Sequence, residues 1–139
     1  MKLEEQVISL ELAKKLKELR VKQESYFFYH CAGERCSIDK IRRVIEGTHP
    51  EIVLFNKNNN SFSAFTVAEL GEMLDTELTD QNENDSFTLQ CTNAIDFWVV
   101  AFGNDGITIT PQFENAKLAD ALAEILIYLL ESNLIEVPS

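Results

Sequence analysis

The densest grouping of reactive side chains lies at His30-Cys31 and Cys36. A Cys-x4-Cys pair beside a histidine offers three Zn²⁺ ligand types, with His49 or Cys91 as a fourth. No second Cys pair completes that pattern, and strand geometry would point His30 and Cys31 to opposite faces. Cys36 also precedes Ser37 at an expected helix start, with Arg35, Lys40, Arg42 and Arg43 nearby. A helix N-terminus and cations lower a thiol pKa, which is the chemistry of a cysteine nucleophile. A zinc protein or an enzyme with its site near His30, Cys31 and Cys36 is therefore one reading. No catalytic residue, metal or cofactor is assigned on this basis.

A second grouping is acidic. Glu69, Glu72, Asp75, Glu77, Asp80, Glu83 and Asp85 follow one another with no Lys or Arg among them. Paired carboxylates do acid–base work only in a pocket that separates their pKa values. A short helix and polar loop instead predict exposed carboxylates, which suit docking on a basic protein surface or remain a solvated face. Asp80 to Asp85 resembles the start of a calcium loop, but Asp85 and Cys91 stand where an EF-hand needs Gly and Glu.

The aromatics Tyr26, Phe27, Phe28, Tyr29 and Trp98 could stack bases, yet only Arg35 to Arg43 supplies a positive neighbourhood. Nucleic-acid binding is not expected, and core packing explains Phe27, Phe55, Phe65, Trp98 and Phe102 better. The chain contains no phosphate-binding glycine loop, nucleophile elbow or His-Glu-x-x-His motif.

Several elements must position these groups. Ser9 is placed to cap a helix whose apolar face carries Leu10, Leu12, Ala13, Leu16 and Leu19. Tyr26 to Tyr29 reads as a strand. Ser37 is expected to cap a helix carrying Ile38, Ile41, Val44 and Ile45, stopped by Gly47. Ile52–Phe55 and Phe62–Phe65 flank an Asn-rich turn, a hairpin pattern. Thr66-Val67-Ala68-Glu69 is a capping box opening a short helix to about Leu74. Strands are predicted at Phe87–Cys91, Ile95–Phe102 and Ile107–Thr110, with a turn at Gly103–Gly106. A last helix from about Asn115 to Ser132 is apolar nearly all round, and so buried on several sides or engaged in a subunit contact. These elements predict one α+β domain over residues 1–139. Its expected form is an antiparallel sheet of about five strands, with about four helices in a single layer on it.

Composition narrows the class. The 139 residues are 45% hydrophobic with five Gly and three Pro, enough for a core and against disorder. Residues 1–47 carry ten Lys/Arg against eight Asp/Glu, whereas residues 48–139 carry two against fifteen. With a net charge of −11, such a chain disfavours anionic membranes and phosphate backbones and favours cationic partners. Met1-Lys2-Leu3-Glu4-Glu5 lacks the layout of a signal peptide, and Leu118 to Leu130 falls short of the about 20 residues that span a bilayer. A cytoplasmic location follows as the expectation. The three cysteines, an odd number, are expected to be reduced.

Three segments taken together carry a resemblance: Ile8-Ser9-Leu10-Glu11-Leu12-Ala13-Lys14-Lys15-Leu16-Lys17-Glu18-Leu19; Ala64-Phe65-Thr66-Val67-Ala68-Glu69-Leu70-Gly71-Glu72-Met73-Leu74; and Ala119-Asp120-Ala121-Leu122-Ala123-Glu124 with Tyr128-Leu129-Leu130-Glu131. The set resembles a widespread group of small bacteriophage and mobile-element proteins without an assigned function. Arg20 departs from the Gly usual after the first segment, so a different helix end is expected there. Cys31 to Gly47 lies outside the pattern. The resemblance implies a phage-related context and no active-site residues. The leading expectation is an acidic protein-binding module docking a basic partner through Glu69, Glu72, Asp75, Glu77, Asp80, Glu83 and Asp85. The alternatives are a homo-oligomeric accessory protein paired through the Leu118–Leu130 helix, and the enzyme or zinc reading above.

Overall fold

The structure is a computed structural model, and it describes residues 2–40, 61–79 and 85–137. The leading turn, α1 (Leu3–Gln6), runs into Val7, which bridges Thr66, and Ile8, whose N–H bonds the Phe65 carbonyl at 3.0 Å. Helix α2 (Leu10–Glu18) follows with Ala13 and Leu16 buried, as its apolar spacing predicts. Arg20 then takes a positive φ of 67°. The Arg20 and Val21 amides bond the Lys17 and Leu16 carbonyls, which is a Schellman closure. The helix thus stops as it would with glycine, although Arg20 carries a Cβ.

Strands β1 (Phe27–Ala32), β2 (Arg35–Lys40) and β3 (Ser61–Ser63) form an antiparallel sheet in the order β2-β1-β3. Ser37 and Ile38 therefore lie in a strand, not in the expected helix. They pair with His30 and Tyr29 across a tight hairpin turned at Gly33, where φ is +64°. Long-range pairing overrides a local helix signal here. The rest of that expected helix, and the strand expected at Ile52–Phe55, lie outside the described residues.

Helix α3 (Val67–Met73) leads to β4 (Leu78–Thr79), β5 (Ser86–Asn93), β6 (Trp98–Asn104), β7 (Ile107–Thr108) and β8 (Phe113–Asn115). The second sheet is also antiparallel, in the order β4-β5-β6-β7, with β8 pairing β6 beside β7. Asp105 and Gly106, both at positive φ, turn the β6–β7 hairpin. Ile95 stands 98% exposed in the turn before β6 rather than in the strand. The α+β class holds, with the described strands divided between two antiparallel sheets of three and five and with four helices.

Helix α4 (Leu118–Glu131) holds this together by touching α2, α3, β6 and β8. Ala119, Ala121, Leu122, Ala123, Ile125, Leu126, Leu129 and Leu130 are all buried. Much of the near-complete apolar girdle is thus buried within one chain, with Leu118 and Tyr128 partly exposed. Asp120, in the first turn of α4, accepts the Ser9 N–H at 2.7 Å and so caps the start of α2. No helix among the described residues is long and apolar enough to cross a membrane.

Candidate functional site: an acidic cleft beside an open strand edge

The seven carboxylates of the acidic run do not share one role. Glu69 is turned inward as the N3 member of the capping box on α3. Its Oε1 accepts from Thr66 N at 3.0 Å, Thr66 Oγ1 at 3.1 Å and the buried Ser25 hydroxyl at 2.8 Å. Its Oε2 accepts from Tyr26 N at 3.3 Å. Glu69 thus ties α3 to the segment entering β1, and its oxygens are already occupied.

Glu72, Asp75 and Glu77 instead gather, exposed, around a cleft of about 520 Å³. Ala68, Gly71, Leu74, Thr76, Thr88 and Leu89 complete its lining, so the carboxylates rim a partly apolar floor. Glu77 also accepts the Ser86 hydroxyl at 3.2 Å. Among the described residues no ion pair reaches these three carboxylates; the ion pairs seen are Lys15–Glu131, Lys22–Glu24 and Lys117–Asp120. On the far side of Glu72, Lys22 shares a separate cleft with Glu69 and Met73 but is paired with Glu24 at 3.1 Å. Asp85 is exposed just before β5 and does not line the acidic cleft. Asp80 and Glu83 lie outside the described residues.

The cleft meets β5 at its edge. Thr88 and Leu89 point to opposite faces of the strand, yet both line the cleft. These two residues were not legible as site residues. A strand segment shows its apolar alternation in sequence, but not which of its edges stays uncovered.

The cysteine cluster resolves differently from its expectation. Cys31 and Cys36 face each other across the β1–β2 hairpin and are joined by a disulfide. This corrects the expectation of three reduced thiols and occupies both sulfurs that the zinc and nucleophile readings required. Among the described residues no group of three His, Cys, Asp or Glu side chains is placed to hold a metal ion. His30 Nδ1 lies 3.4 Å from the Ser61 hydroxyl. Cys91 is exposed on β5, and partial desolvation pushes its thiol pKa up, away from thiolate chemistry.

The aromatic run makes no stacking platform, since Phe28 and Tyr29 are buried while Tyr26 is exposed. The Tyr29 hydroxyl donates to the Ile8 carbonyl at 2.6 Å, and burial, with Asp120 and Glu4 nearby, raises its pKa to about 12. Trp98 is half-buried beside a third cleft, of about 840 Å³, with Val67, Ala116 and Leu118. The three segments behind the phage-type resemblance meet in space: Ile8 bonds Phe65, Ser9 bonds Asp120, and α3 packs on α4. They form the junction of α2, α3 and α4 rather than a reactive site. Comparison with family models, curated proteins and solved structures finds no match.

Proposed function

We propose that this protein is a small acidic binding module of phage or mobile-element type, which docks a basic protein surface at the cleft between α3 and β5. One observation carries the reading: Glu72, Asp75 and Glu77 surround a single cleft with no cation in its lining among the described residues. The floor of Ala68, Leu74 and Leu89 suits the aliphatic stem of a Lys or Arg whose charged head meets the rim. The negative field of a chain at net −11 would speed encounter with such a partner and repel phosphate backbones. The three-segment resemblance supports the phage setting. Glu69 is part of the scaffold in this reading, and Glu72, Asp75 and Glu77 carry the contact.

The test is capture of basic partners from host lysate by the wild type beside E72Q/D75N/E77Q, at low and high salt. The expected result is a partner lost both in the variant and at high ionic strength, because exposed charges are screened within about 8 Å at physiological salt. Capture indifferent to the substitutions and to salt would overturn the reading.

A further inference from the structure

Among the described residues, the backbone of β5 leaves one edge open beside the acidic cleft. On its other edge β5 pairs with β6, from Thr88 opposite Gly103 to Asn93 opposite Trp98. That register sets Asn104 opposite Phe87, and the Asn104 side chain does bond the Ser86 carbonyl at 3.1 Å. The edge facing β6 is therefore filled along the whole strand, and β4, opposite Ser86 and Phe87, must occupy the other edge. Because β4 is only two residues long, that edge is uncovered from Thr88 to Asn93 among the described residues.

The outward-facing groups follow from the turn. Ala94 N bonds Phe97 O at 2.8 Å, so positions 94 and 97 form a hydrogen-bonded pair. Alternation in an antiparallel ladder then directs the amides and carbonyls of Thr88, Gln90 and Thr92 toward β6. Those of Leu89, Cys91 and Asn93 point to the open edge, in step with Phe87, which faces β4. Five of the six residues from Thr88 to Asn93 are exposed, as an uncovered edge requires. An edge of this kind is a template for an added strand.

We propose that β5 takes up an extended cationic peptide as an additional strand, paired with Leu89, Cys91 and Asn93, with a Lys or Arg seated against Glu72, Asp75 and Glu77. The proposal rests on the docking reading above and specifies its geometry. From Leu89 to Asn93 the edge spans about 13 Å, enough for a segment of about five residues. The cleft reaches the edge at Thr88 and Leu89, so the cation lies toward that end. A second copy of the chain is the alternative occupant, but edge-to-edge pairing would bring two acidic clefts together, and like charges oppose that association.

The experiment uses the full chain and a fluorescein-labelled octapeptide alternating Lys with Val. Two companions are N-methylated on alternate amides, in complementary sets, and a third carries Glu in place of Lys. The expected result is saturable binding of the Lys peptide, weakened at least tenfold in one N-methylated form. New hydrogen-exchange protection should appear at the Leu89, Cys91 and Asn93 amides, while Thr88, Gln90 and Thr92 are protected from the start. Equal binding of both N-methylated forms would overturn strand addition and leave side-chain docking standing. Equal binding of the Glu peptide, or no loss with E72Q/E77Q, would overturn the acidic cleft itself. A dimer whose formation protects the same three amides and excludes the peptide would assign the edge to a second copy and overturn the proposal.

Discussion

Replacing Glu69 by alanine is expected to unfold the protein at a markedly lower temperature, while the same change at Glu72 leaves stability near wild type. The two residues share a seven-residue helix and a charge, and only their partners differ. E69A removes the acceptor for the Thr66 and Tyr26 amides and for two hydroxyls. The Ser25 hydroxyl keeps an alternative acceptor in the Ala64 carbonyl at 3.1 Å, so its loss is partly offset. The Thr66 amide is only partly reached by water and loses a charged acceptor, at about 1.5 kcal/mol, while the exposed Tyr26 amide is re-solvated and loses about 0.5 kcal/mol. The loosened α3 cap adds a few tenths. The total is about 2–3 kcal/mol. With an unfolding entropy of about 2.1 cal/mol/K per residue, that lowers Tm by roughly 7–10 °C in a thermal melt followed by circular dichroism. E72A, at an exposed position whose side chain makes no hydrogen bond or ion pair among the described residues, should stay within about 2 °C. An E69A melt indistinguishable from E72A would refute the division of the acidic run into scaffold and cleft.

Two further outcomes test the fold. Arg20→Gly should raise Tm by about 2–3 °C, since glycine relieves the left-handed C-terminal cap at a cost of only some unfolded-chain entropy; Arg20→Ala keeps the Cβ and should melt with the wild type. Tyr29, with its pKa raised to about 12, binds its proton more tightly folded than unfolded. Its contribution is therefore complete below pH 10 and is lost as pH rises from 10 through 12, on the order of 2 kcal/mol in all. Ultraviolet titration of wild type against Y29F should show the missing phenolate step near pH 12; a missing step near 10 would remove the buried bond to Ile8 from the account.

Features set by contacts three or four residues apart were legible in the chain itself. The α2 stripe, the Thr66–Glu69 capping box and the Asp105-Gly106 turn each need only near neighbours, so sequence determined them. The girdle of α4 likewise announced a helix buried on several sides, though only the fold showed that α2, α3, β6 and β8 pack against it. Ser37 became strand because β1 lay beside it, and Phe113–Asn115 became a strand only by pairing with β6. The same holds for the site. Composition made the run from Glu69 to Asp85 acidic, but tertiary packing turned Glu69 toward Ser25 and left Glu72, Asp75 and Glu77 around a cleft. A side chain's local pattern fixes its element and face; which partner meets that face depends on residues far away in the chain, such as the 44 positions separating Ser25 from Glu69.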